Sequence, residues 1–161
     1  MRNLKEINRE QFDRQAETFR DWSIAADTRY LPSLAAFVRL SNNDTVLDVG
    51  CGSGAFVLFA SKRTKFATGI DISENQLRLA KKRVHTEYAT TVQFIQSDVV
   101  HMPFPDATFS VVVCKSSFHH FGDVQNVFNT LYHDKAIPLR VPRTEFPTGI
   151  SSWCGQFFSN H

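Results

Sequence analysis

Gly50, Gly52 and Gly54 fall in one turn, within the string VLDVGCGSG at residues 46–54, behind a short β-rich run and ahead of a helical pattern. A glycine turn in that place lets a ligand approach the backbone where a side chain would block it. The helix that follows presents unpaired N–H groups and the positive end of its dipole to an anion. A tight strand-to-helix connection without a ligand would use the same residues. Three carboxylates accompany the turn. Asp48 ends the first strand, and Asp71 closes the next one, 21 residues after Gly50. In an open parallel sheet a carboxylate at that second position can accept from both hydroxyls of a ribose. Asp98 follows the third strand at the same sheet edge, where it could accept from an adenine amino group while the Val99 N–H meets a ring nitrogen. Simple turn aspartates are the competing account of Asp71 and Asp98.

Such residues need a sheet to align them, and the chain supplies one. Thr45–Val49, Phe66–Asp71, Thr91–Gln96 and Phe109–Cys114 read as strands. Helical patterns separate them: one carries Phe56, Phe59 and Ala60, another Leu77, Ala80 and Val84, and a last one starts near Asp123. Ser73 can cap the second of these, with Gln76 completing a capping box. Ahead of the first strand, Phe12, Ala16 and Phe19 in residues 8–22 and Leu31, Leu34, Ala35 and Val38 in residues 28–40 have helical spacing. Alternating strands and helices predict an α/β fold with a doubly wound, Rossmann-like parallel sheet covered on both faces. The expected organisation is a helical cap over 1–43, a core over 44–132 and an irregular tail over 133–161.

At 161 residues, 42% hydrophobic and 21% charged, the chain suits one globular domain. No apolar run approaches a membrane span, and the first residues lack a signal-peptide stretch, so a cytoplasmic location is the expectation. A net charge of +2 gives no electrostatic reason to expect nucleic acid. Three cysteines without a CxxC pair suggest neither a disulfide framework nor a metal site. His119 and His120, after the fourth strand, are weak candidates for a general base or for positioning a hydroxyl. Capping of the next helix and packing against Phe118 or Phe121 would explain them equally. Cys51 reads as a small packing residue, Lys115 as a loop or solvent-facing one, and Lys81, Lys82 and Arg83 as a solvated helix face.

Taken in order, VLDVGCGSG at 46–54, GIDIS at 69–73 and QSDVVHMPFPDATFSVVVCKSSFHHF at 96–121 resemble the class I S-adenosylmethionine-dependent methyltransferases. FDRQAETF at 12–19 is similar to the N-terminal helix of their quinone-biosynthesis-type, small-molecule members. The resemblance spans roughly residues 8–132. It implies that S-adenosylmethionine is the cofactor and that a small molecule accepts its methyl group. The backbone at Gly50, Cys51 and Gly52 would hold the methionine part, with Asp48 ordering the loop or facing the amino group. Asp71 would bind ribose, Ile72 would pack on adenine, and Asp98 with Val99 would contact the adenine edge. Because Gly50-x-Gly52-x-x-Ala55 also fits a relaxed dinucleotide pattern, an NAD-dependent oxidoreductase fragment is an alternative. Asp48 and Asp98 favour the methyl donor.

The resemblance stops near Tyr132. The family continues through a Lys-Pro-Gly-Gly-like turn into a fifth strand and an antiparallel hairpin, whereas Tyr132–Ala136 lead into a proline-rich tail. This implies a truncated or divergent end, with the acceptor-side half absent and the edge of FSVVVC exposed to oligomerisation. Two functional expectations follow: an enzyme impaired in this chain, or a non-catalytic module whose sheet a partner completes.

Overall fold

Four short apolar runs form the centre of the molecule: β1 (Thr45–Val49), β2 (Phe66–Asp71), β3 (Val92–Gln96) and β4 (Val111–Val113). The computed structural model describes residues 4–21, 28–87, 89–115 and 117–131. All pairings are parallel, in the order β3-β2-β1-β4. Parallel neighbours need crossovers, and helices supply them: α3 (Ala55–Ser61) joins β1 to β2, and α4 (Glu74–Glu87) joins β2 to β3. Before the sheet come α1 (Leu4–Asp21) and α2 (Leu31–Phe37), and after it α5 (Val124–Asn129). The chain steps outward from β1 through β2 to β3, then returns to the other side of β1 for β4. That reversal opens a crevice between β1 and β4 at their carboxyl ends, where open parallel sheets bind ligands.

Both sheet faces are covered, which explains why the strands are nearly continuous apolar runs rather than alternating ones. On one face Val46, Ala67 and Val111 pack against Leu34 of α2, Val57 of α3 and Leu77 of α4. On the other, Leu47, Val49 and Ile70 meet Val99, Met102 and Val127. Leu47, Val57 and Ile70 are fully buried, and truncating Leu47 or Ile70 to Ala would cost about 2–5 kcal/mol. Gly54 is dictated by this packing. It has φ +77°, and a Cβ there would stand 2.5 Å from the Phe94 ring.

The first two strands span the residues expected, and the third begins one residue later. The fourth shrinks from 109–114 to Val111–Val113, because its ladder to β1 covers only Val46–Asp48. Helix α1 starts at Leu4 rather than residue 8, and its first turns are held by tertiary contacts described below. The capping box at Ser73 is half formed. Its Oγ accepts the Gln76 N–H at 3.2 Å, but the Ser73 N–H goes to Asp71 Oδ1 at 2.9 Å and not to Gln76. Asp123 caps α5 by accepting the Asn126 N–H at 2.9 Å, so neither His119 nor His120 is needed there. The expected irregular tail, the truncation and the loss of the fourth strand's outer neighbour concern residues that lie outside the described ones. Among the described residues β4 pairs with β1 alone.

Candidate functional site

The loops at the carboxyl ends of β1 to β4, together with α1 and Tyr30, enclose a cleft of about 480 Å³. Asp48, Gly50, Cys51, Gly52, Asp71, Ile72, Asp98 and Val99, the eight cofactor-side residues singled out from the sequence, all line it.

Asp71 organises the turn. Its Oδ2 accepts the Gly52 N–H at 2.8 Å, and its Oδ1 accepts the Ser73 N–H at 2.9 Å. One carboxylate thus ties the glycine loop to the start of α4, and the Ile72 N–H is a third backbone donor that favours its charged form. Burial raises its pKa, although its backbone donors pull the other way. The other loop N–H groups are also engaged, since those of Gly50 and Cys51 both donate to the Ile70 carbonyl, at 2.9 and 3.0 Å. The turn therefore does not offer these three donors to an anion. What it offers is close approach, above all at Gly52. There φ is +53° and a Cβ would meet nothing nearer than Gln76 Oε1 at 3.8 Å.

Asp48 is the electrostatic focus. It is only 4% exposed, and among the described residues its carboxylate makes no hydrogen bond. Burial, and then the charge of Asp71, push its pKa to about 7 against an opposing pull from Lys115. Of the two acids, Asp48 keeps the proton, because Asp71 has backbone donors to stabilise its charge. Beside Asp48, Cys51 is buried with its thiol pKa pushed up by burial and by Asp71 and Asp48, so it is no nucleophile. Its Sγ lies 2.7 Å from where a Cβ on Gly69 would stand, the packing role expected of it.

Asp98 sits at the far end of the cleft. It caps a short 3-10 turn, Val99–His101, through the Val100 N–H at 3.3 Å. Lys5 Nζ of α1 lies 2.6 Å from Oδ2. Burial raises the Asp98 pKa, but Lys5, the Val100 N–H and His101 outweigh it and leave the group below its ordinary value.

The opposite wall was not visible in the sequence. Leu4, Lys5, Asn8 and Phe12 of α1 line the cleft with Tyr30 and Lys115. Asn8 Nδ2 donates to the His120 carbonyl at 2.6 Å, and the Phe12 ring meets the His120 ring edge-on at 4.8 Å. Asp13 accepts from Ser73 Oγ at 2.6 Å and from the Asn75 N–H at 3.1 Å, so α1 caps α4. Lys115 places its ammonium 3.9 Å from the Tyr30 ring centroid, inside the cleft rather than in solvent. Of the two histidines, His120 lines the cleft, and the side chain of His119 lies outside the described residues. Among the described residues no helix is long and apolar enough to cross a membrane, and no cluster of three or more metal-ligating side chains occurs.

A glycine turn after β1, carboxylates at or just past the carboxyl ends of β1, β2 and β3, and a crevice at the point of sheet reversal define a Rossmann-like α/β fold with a cleft at that edge. The sequence match makes this more specific. Residues 46–133 match the profile of the family described as "Methyltransferase domain", and the chain belongs to that family. It is 28% identical over 118 residues to the uncharacterized methyltransferase YcgJ of Bacillus subtilis, covering 73% of this chain and 47% of that protein. It is 37% identical over 100 residues to the 27-O-demethylrifamycin SV methyltransferase of Amycolatopsis mediterranei, covering 61% and 37% of the two chains. A solved S-adenosylmethionine-dependent methyltransferase from Thiobacillus denitrificans, in complex with S-adenosyl-L-homocysteine, superposes with a TM-score of 0.58 at 25% identity. That match covers 71% of this chain and 46% of the other. The chain spans about half the length of the curated relatives it matches.

Proposed function

We propose that the cleft binds S-adenosylmethionine and that the protein transfers its methyl group to a small-molecule acceptor. The observation that carries this reading is Asp48: a buried carboxylate, without a hydrogen-bond partner among the described residues, at the floor of an adenosine-sized crevice. A cationic ligand without phosphates suits that floor. A pyrophosphate would meet Asp48 and Asp71 while the N–H groups of Gly50, Cys51 and Gly52 are already donating, which weighs against a dinucleotide.

In this reading Asp48 faces the ammonium of the methionine part, Asp71 accepts from the ribose hydroxyls, and Ile72 and Val99 pack on the adenine. Asp98 accepts from the adenine edge, sharing its carboxylate with Lys5. When bound, the cofactor supplies an electrophilic methyl group on a sulfonium sulfur. The residues of this chain contribute alignment, and alignment can account for much of such a reaction's acceleration. Phe12, Tyr30 and Phe121 offer an apolar wall that excludes water, and His120 is the titratable group placed to take a proton from an acceptor hydroxyl.

The test is a thermal melt with and without S-adenosyl-L-homocysteine. Ligand at 100 times its dissociation constant should add about 2.7 kcal/mol of stability. A cooperative transition that does not move, over a concentration series into the millimolar range, would sink the reading.

A further inference from the structure

Along the sheet edge that forms the cleft, charge is unevenly spread. In the order β3-β2-β1-β4, Asp98, Asp71 and Asp48 stand at or just past the ends of the first three strands, and Lys115 stands two residues past the fourth. The edge reads acid, acid, acid, base. Lys5 answers Asp98 at one end, 2.6 Å from its Oδ2. Lys115 belongs to the other end, half-buried, with its ammonium 3.9 Å from the Tyr30 ring centroid. A ring face beneath an ammonium holds it in place without neutralising it. The charge reaches the floor of the cleft, where it opposes the rise in the Asp48 pKa. The wall around Lys115 is aromatic: Phe12, Tyr30 and Phe121 line the same cleft, with His120 among them.

We propose that Lys115 is a specificity-determining residue that selects an aromatic hydroxyl as the methyl acceptor and holds it as the phenolate. The inference rests on the cofactor reading above and names the acceptor class for that site. The acidic floor and this wall differ in sign, so they suit different ligands. An amine arriving as an ammonium would be repelled by Lys115. An aliphatic hydroxyl is too weak an acid for one neighbouring cation to ionise. A phenol is acidic enough for an adjacent positive charge to tip it, and its ring matches the flat apolar faces of Phe12, Tyr30 and Phe121. Its proton passes to His120 and on to solvent. The phenolate oxygen then gives an electron pair to the methyl carbon as the carbon–sulfur bond breaks, and the pair of that bond stays on sulfur. The negative charge on oxygen and the positive charge on sulfur cancel, leaving a methyl ether and a thioether.

The experiment uses 4-nitrophenol, whose phenolate is yellow and whose neutral form is not, at a pH where most of the free probe is neutral. The protein is first saturated with S-adenosyl-L-homocysteine, which carries no charge at sulfur, so the effect read belongs to Lys115. Wild type should turn the bound probe yellow. By calorimetric titration it should bind the probe about tenfold more tightly than 4-nitroaniline, a neutral molecule of similar shape. Lys115→Met should lose both the colour and the preference, and Lys115→Arg should keep them. Wild-type colour and preference in K115M would overturn the role of Lys115 and leave the cofactor reading intact. A K115M protein that loses S-adenosyl-L-homocysteine but keeps 5′-methylthioadenosine, which lacks the amino-acid part, would assign Lys115 to the methionine carboxylate and also overturn it. A wild type that binds S-adenosyl-L-homocysteine yet takes up no phenolate would overturn the acceptor class alone. A wild type that binds neither nucleoside would overturn the cofactor reading and this inference together.

Discussion

Replacing Asp48 by Asn tests the electrostatics of the cleft in isolation. The substitution keeps the shape of the side chain and removes its ability to ionise. In the wild type, burial, then Asp71, raise this carboxyl from its ordinary 3.8 to about 7. In the unfolded chain it returns to the ordinary value. Between those two values the folded protein binds more protons at this site than the unfolded one, so stability falls as pH rises through the window and is flat above it. At 1.36 kcal/mol per unit of pKa, the accumulated cost approaches about 4 kcal/mol by pH 7. That is a large share of the stability of a small domain. Asp48→Asn carries no such cost, so it should match wild type near pH 4 and exceed it progressively up to pH 7, with a constant difference beyond. Urea denaturation of both proteins at half-unit intervals from pH 4.5 to 8 measures this directly, since the titrating groups not coupled to Asp48 cancel in the comparison. A bound cation should lower the Asp48 pKa, so titration with S-adenosyl-L-homocysteine at pH 6 should release a proton from wild type, visible as a buffer-dependent enthalpy, and none from this site in the variant. Denaturation curves whose separation does not change with pH would refute the claim that burial and Asp71 outweigh Lys115 in raising the Asp48 pKa.

Two further outcomes follow from the same geometry. Asp13→Ala removes the acceptor shared by Ser73 Oγ and the Asn75 N–H. It should cost about 1 kcal/mol in urea denaturation, as loss of a helix cap does, and should speed hydrogen exchange in α1 before any other helix. Gly52→Ala places a methyl group in the cleft at a backbone of φ +53°. It should cost about 1–2 kcal/mol from the left-handed conformation and weaken S-adenosyl-L-homocysteine binding well beyond that, by titration calorimetry.

The sheet was legible because its signals are local. TVLDV and FATGID are short and apolar, each with an aspartate at or next to its end, and they form β1 and β2 without a residue's error. The glycine turn and its carboxylates were legible because strand ends in a parallel sheet must converge on one edge. The use made of the backbone was less visible. That the N–H groups of Gly50 and Cys51 point at the Ile70 carbonyl depends on the register between β1 and β2, which no spacing in the sequence reveals. Half of the cleft was not legible at all. Lys5, Asn8 and Asp13 look like ordinary polar residues on an amphipathic helix, and only the tertiary path of α1 brings them to Asp98, His120 and Ser73. Lys115 looked like a loop cation, because nothing in the sequence places Tyr30 beneath it. Gln76 was read as half of a capping box, a local rule overridden by a carboxylate three residues before the helix starts.

The path of α1 also sets where the long-range contacts of the fold lie. Its polar attachments to the rest of the cleft are remote in sequence: Asp13 meets Ser73 and Asn75, Lys5 meets Asp98, and Asn8 meets a carbonyl 112 residues further on. Closing a loop of that length brings an entropic cost before any contact rewards it, whereas β1, α3 and β2 assemble from near neighbours. A ribosome-bound chain ending before His120 would already hold the glycine turn and the three aspartates, yet its cleft would lack a wall. Near neighbours in sequence thus build the floor of the cleft, whereas its α1 wall depends on contacts far along the chain.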